Sequence, residues 1–139
     1  MAHQDLEQLI NALIPFAQQM LSKQGDYYPF GSSIGLDGKI AYISTFDGNE
    51  RPPYPQVIEN LTYIIKHKIK NGEIKAAGIC YDIRTIPPGQ TKKSDAIFIG
   101  LEHQSGEAME FCLPYKKGVL GKITYGKLFA GSRDRQFFV

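Results

Sequence analysis

The chain has 139 residues, 42% of them hydrophobic and 22% charged, with a formal net charge of +2. That is the size and balance of one domain, residues 1–139, able to bury a core without disulfide staples. So small a charge excess speaks against nucleic acid as the natural partner, and no apolar run approaches the roughly 18 residues of a membrane-spanning helix.

The N-terminal MAHQDLEQLINALIPF carries acids and amides where a secretory leader has basic residues, so no leader is expected. Residues 4–24 have helical periodicity. Leu6, Leu9, Ile10, Leu13, Ala17, Met20 and Leu21 form one apolar stripe, Asp5 and Gln8 resemble a capping box, and Gly25 is a natural stop. Pro15 removes a helical hydrogen bond, which predicts a kink or a break near residues 11–14.

Phe30–Leu36 and Lys39–Phe46 read as a hairpin around Asp37-Gly38. A two-residue turn there sets Leu36 opposite Lys39, Ile34 opposite Ala41 and Ser32 opposite Ile43. One face then carries Phe30, Ile34, Leu36, Ala41 and Ile43. The other carries Gly31, Ser33 and Gly35 beside Ile40, Tyr42 and Ser44. Residues 47–54 are a turn-rich connection. Pro55 suits the first turn of a second helix, whose stripe is Val57, Ile58, Leu61, Ile64, Ile65 and Ile69 and whose stop is Gly72.

Strands follow at 73–86, 94–103, 107–115 and 122–130, with Ser105-Gly106 as a turn. The order α-β-β-α-β-β-β(-β) predicts an α+β domain. It has an antiparallel sheet of five to six strands and two helices that bury their stripes on it. This element order resembles that of profilin-like and roadblock-like domains.

Small residues recur in three strands: Gly31, Ser33 and Gly35; Ala76, Gly78 and Cys80; Ala96 and Gly100. Glycine inside a strand marks close approach by another backbone, a helix or a ligand. A tightly packed helix is one reading. The other is a groove floored by Gly31, Ser33, Gly78 and Gly100, with Arg84 holding an anion and Asp82 nearby.

No catalytic set assembles from the motifs. Glu102 and His103 are adjacent and point to opposite strand faces. A two-residue turn at Ser105-Gly106 sets Glu102 opposite Met109, so Glu102 and Glu110 face oppositely as well. Asp82 and Arg84 share a face and are expected to pair. His3, His67 and His103 are scattered, and no metal-ligand or cofactor motif occurs, so neither metal nor cofactor is expected. Cys80 and Cys112 sit among apolar neighbours and read as buried, reduced thiols in a cytoplasmic protein. Near the C-terminus Lys116, Lys117, Lys122, Lys127, Arg133 and Arg135 interleave with Tyr115, Tyr125 and Phe129. A solvated face with core-facing aromatics is the first reading of this pattern and single-stranded nucleic acid a second; the third is an acidic protein partner, with Lys116, Lys117, Tyr125, Arg133 and Arg135 as the candidate surface.

At Tyr28-Pro29-Phe30-Gly31, Asp37-Gly38, GEIKAAGICYDIR and DAIFIGLEH the chain resembles a group of small bacterial proteins of unknown function. The resemblance covers most of the chain. It implies a bacterial cytoplasmic protein with the group's fold, and carries over no catalytic residues.

These features favour a binding protein over an enzyme. The first expectation is a protein-interaction module, with an immunity-type inhibitor as one form of it, whose partner is a protein or a second copy of itself. The second is a sensor or carrier of a small ligand or anion. A hydrolase-type enzyme using Asp82, Glu102 or His103 comes third, and no membrane partner is expected.

Overall fold

The structure, a computed structural model, describes residues 2–45 and 53–139. Phe46 and most of the predicted 47–54 connection lie outside the described residues. Helix α1 spans Ala2–Gln24, β1 Phe30–Gly35, β2 Ile40–Ile43 and α2 Tyr54–Lys70. Strands β3 (Ile74–Thr85), β4 (Ser94–His103), β5 (Ala108–Lys117), β6 (Ile123–Tyr125) and β7 (Phe129–Ser132) complete the chain. The fold is α+β. One seven-stranded sheet has the order β2-β1-β3-β4-β5-β6, with β7 also beside β5, and every pairing is antiparallel.

α1 runs unbroken through Pro15, against the expected break. The carbonyl that loses its partner belongs to Asn11, which is exposed to water, and the Tyr42 hydroxyl donates to the neighbouring Ala12 carbonyl at 3.1 Å. The helix ends where predicted: the Gly25 N–H donates to Leu21 O at 2.9 Å, and Gly25 takes a φ of +79°.

The β1–β2 register differs from the expected one by a residue. Ile34 lies opposite Ile40 and Ser32 opposite Tyr42. The connection is a three-residue loop, in which the Gly35 N–H donates to Lys39 O at 2.8 Å and Gly38 takes a φ of +86°. The Asp37 carboxylate accepts the Lys39 N–H at 3.0 Å. Glycine here fills the last, left-handed place of a type I turn with a bulge, rather than one of the two central places of a type I′ turn. A one-residue slip moves every side chain to the other face. Ile40 and Tyr42 therefore join Phe30 and Ile34, while Ala41 and Ile43 join Gly31 and Ser33.

The two helices cover opposite faces of the sheet. Leu6, Leu9, Leu13, Ala17 and Leu21 of α1 pack with Ile34, Ala76, Cys80, Ile97, Ile99 and Leu101. Leu9 and Leu13 are wholly buried, and each contributes about 1.5–3 kcal/mol by leaving water. On the other face Val57, Leu61 and Ile65 of α2 pack with Ile43, Ala77, Ile79 and Phe137. From Ala76 to Cys80, even-numbered residues of β3 thus face α1, and odd-numbered ones face α2 and the C-terminal segment.

The single strand predicted over 122–130 is two. β6 pairs Tyr125 with Tyr115, and β7 pairs Phe129 with Cys112, one residue out of step. Pro114 lies between these registers and has no N–H to give, although its carbonyl still accepts the Gly126 N–H at 2.8 Å. The ladder breaks there and resumes after a bulge, which accounts for the seventh strand.

Candidate binding surface

The small residues of the strands are packed against the protein itself. A side chain at Gly78 would stand 2.8 Å from Leu13 Cδ1 of α1 and 2.7 Å from Leu101 Cδ2. One at Gly31 would meet Ile65 Cδ1 of α2 at 3.8 Å, and the space over Gly100 holds the Arg133 guanidinium. Ser33 is buried. Gly78 faces α1, whereas Gly31, Ser33 and Gly100 face the other way, so the four do not floor one groove.

The Glu102–Glu110 expectation is also corrected. Glu102 lies opposite Ala108, and Gly100 lies opposite Glu110. The β4–β5 connection repeats the three-residue loop of the first hairpin: the His103 N–H donates to Glu107 O at 2.9 Å, and Gly106 has a φ of +104°. Both carboxylates therefore share a face, with Arg133 between them. Its Nε is 2.9 Å from Glu102 Oε2, and its Nη1 is 3.6 Å from Glu110 Oε2. Arg133 has a side-chain exposure of 4%, so it does not belong to a partner surface.

Glu102, wholly buried, also accepts the backbone N–H groups of Gln136, Phe137 and Phe138 at 2.8–3.2 Å. This carboxylate ties the C-terminal segment down over the sheet. Phe137 is tucked beneath it, with the Arg133 guanidinium 5.1 Å from the ring centroid.

On the α1 face His103 Nδ1 accepts the Ser105 N–H at 3.0 Å, so the ring proton sits on Nε2 and is donated to Asp5 Oδ2 at 2.8 Å. Both ring nitrogens are occupied, which leaves no free base. Burial raises the Asp5 carboxyl, but His103 and Lys75 outweigh it and hold its pKa below the ordinary 3.8.

Asp82 does not pair with Arg84. It accepts the Tyr115 hydroxyl at 2.6 Å, while Arg84 Nε lies 3.8 Å from Asp95, its neighbour across the β3–β4 ladder. Burial raises the Asp82 pKa, partly offset by the Tyr115 hydrogen bond. The buried Tyr27 hydroxyl makes no hydrogen bond among the described residues, and burial drives both it and the Cys80 thiol upward. Cys112 is half-buried and is also raised by burial, so neither thiol has the character of a nucleophile. Among the described residues no cluster of three or more His, Cys, Asp or Glu is placed to hold a metal. No helix among them is long and apolar enough to cross a membrane.

What the fold does gather is positive charge, at one end of the sheet. The β3–β4 loop contains Pro87-Pro88-Gly89-Gln90. The Gln90 N–H donates to Pro87 O at 3.1 Å and Gly89 has a φ of +78°, the sequence and geometry of a type II turn. That turn places Lys92 and Lys93 beside Lys116, where they line a hollow of about 400 Å³. An adjoining hollow of about 290 Å³ adds Arg84, Asp95, Tyr115 and Lys117. A third, of about 250 Å³, runs from Pro87 and Pro114 to Tyr125.

Among the described residues Asp95 is the only acid lining these three hollows. Lys92, Lys93, Lys116 and Lys117 are exposed, and none is ion-paired with a described residue. Lys116, Lys117 and Tyr125, expected from the sequence as partner-binding residues, therefore lie together. Arg135 is exposed beside Gly106, away from them. Lys92 and Lys93 were not expected there, because only the β3–β4–β5 register carries them to Lys116. The chain matches no family model, no curated protein and no solved structure.

Proposed function

We propose that this is a binding protein that takes an anionic partner on the lysine-rich end of its sheet. One observation carries the reading. Four exposed lysines and Arg84 converge from two strands and the β3–β4 loop onto adjoining hollows that, among the described residues, hold a single acid. Concentrated charge of one sign steers and holds a partner of the other sign. The side chains offered by the sequence for catalysis are engaged elsewhere: Asp82 by Tyr115, Glu102 by the C-terminal segment, His103 by Asp5 and Ser105. The free cysteines support a reducing compartment, the cytoplasm.

Retention on immobilised heparin, a generic polyanion, tests this. Lys116→Glu with Lys117→Glu should elute at much lower salt than the wild type. Lys66→Glu with Lys70→Glu, on exposed positions of α2, changes net charge equally and should elute later than the first pair. Equal elution of the two variants would reduce the effect to net charge and sink the reading.

A second reading rests on the hollow between Tyr115, Lys116 and Tyr125, whose size suits a small anion. Native mass spectrometry of freshly purified protein would show it as retained mass, lost in Lys116→Ala. A bare mass in the wild type removes it.

A further inference from the structure

The β5–β6 hairpin ends in a turn that the rest of the fold does not explain. Gly118 to Gly121 is closed by the Gly121 N–H donating to Gly118 O at 3.3 Å. Leu120 occupies its third position with φ 67° and ψ 20°. That is left-handed backbone, which is unfavourable for an L-residue such as leucine and which glycine accepts freely. The side chain recovers nothing from the fold, because Leu120 is 100% exposed and Val119 is 87% exposed. Glycine, the residue such a position favours, instead stands next in the chain as Gly121, itself at φ 77°.

The tip stands in the basic region just described. Lys116 and Lys117 lead into it, and Lys122, also exposed, leads out. The register places Lys117 at the same end of the sheet as Thr85 and Ser94, so Lys92 and Lys93 are at that end, as is Ile86, an apolar side chain 50% exposed. Bare apolar groups thus sit within a field of lysines.

Resting on the reading above, we infer that the anionic partner is a lipid surface, with Val119 and Leu120 entering the acyl boundary while the surrounding lysines contact acidic headgroups. Three observations select this occupant. The cations are almost all lysines, which are depleted from protein interfaces but are the usual recognition element for acidic headgroups. The two apolar side chains are bare, and a fluid acyl layer takes them without the ordering cost that a shaped protein pocket imposes. A second copy is disfavoured, because it would bring the same lysines against these. Lodging a hairpin tip needs no spanning helix, so this mode departs from the expectation of no membrane partner, which rested on the want of such a helix.

The test is co-sedimentation with vesicles of phosphatidylcholine alone and of equal parts phosphatidylcholine and phosphatidylserine. The wild type should bind only the acidic vesicles, and less at high salt. Leu120→Gly should bind them at least about tenfold more weakly, the loss expected for one leucine returned to water. Its urea midpoint should be unchanged or higher, because the substitution relieves the backbone and removes no packing. Lys116→Glu with Lys117→Glu should weaken binding by roughly thirtyfold or more. Failure of the wild type to bind acidic vesicles overturns the inference, as does binding indifferent to Leu120→Gly. If vesicle binding is absent while heparin retention still depends on Lys116 and Lys117, the lipid inference falls and the basic-surface reading stands. If both assays are negative, both fall.

Discussion

Replacing Glu102 by alanine tests the account of how the C-terminal segment is held. The carboxylate is wholly buried, balances the charge of a nearly buried arginine, and accepts three consecutive backbone N–H groups. Removing one member of a buried ion pair costs about 3–5 kcal/mol, because the other charge is left without its partner. The Phe137 N–H is buried too, and an orphaned donor adds about 1–3 kcal/mol if it stays where it is. The chain has one escape, which is to release residues 136–138 to water. That exposes Phe137, now 2% exposed, at about 1.5–3 kcal/mol, and frees Arg133 to turn toward Glu110. Since the cheaper route prevails, the net loss should be about 1.5–3 kcal/mol, a substantial share of the 5–15 kcal/mol typical of a domain. Urea unfolding measures it. If the segment lets go in the folded variant, the m-value should fall as well, because less surface remains to be exposed. Arg133→Met added to Glu102→Ala should recover part of the loss, by removing the stranded charge. A loss under about 1 kcal/mol for Glu102→Ala alone would refute the idea that this carboxylate anchors the segment.

Gly78→Val should destabilise by about 1–3 kcal/mol in thermal or urea unfolding, because even its Cβ would stand 2.8 Å from Leu13 and 2.7 Å from Leu101. Gly38→Ala meets nothing within 4 Å, so its cost of about 1–2 kcal/mol should come from the positive φ alone; a neutral result at Gly38 would mean the loop adopts another turn. Asp5→Asn should reduce stability most near neutral pH. The folded Asp5 pKa lies below its ordinary 3.8, so the carboxylate's contribution is complete above that value and is lost as pH falls through the folded one. The Tm difference between wild type and Asp5→Asn should therefore close in acid, and a gap independent of pH would contradict the assignment.

The helices and strands were legible in the sequence, because their apolar periods are strong and their ends carry Gly25, Pro55 and Gly72. The registers were not. Asp37-Gly38 and Ser105-Gly106 each mark a turn, but a dipeptide does not say whether glycine ends a three-residue loop or sits inside a two-residue one. In both hairpins that single ambiguity reversed the faces, and in the second it hid the meeting of Glu102, Glu110 and Arg133. A signal was present: Glu102 continues the run AIFIGLE, and an acid inside a strand apolar on both faces needs a buried cation. Pro114 likewise announced the break between β6 and β7. The lysine-rich end was half visible, in Lys116 and Lys117, because charge clusters show in sequence only when they are contiguous.

The hydrogen bond from His103 to Asp5 also has a meaning in time. It joins positions 98 apart, whereas β3, β4 and β5 follow one another through short loops. Closing a long loop costs more chain entropy than forming a hairpin, so the central meander can pair before α1 has a surface on which to lie. The first helix of the chain is then seated only after the meander has paired. Loosening its tie should leave the folding rate almost untouched and make the folded molecule shorter-lived.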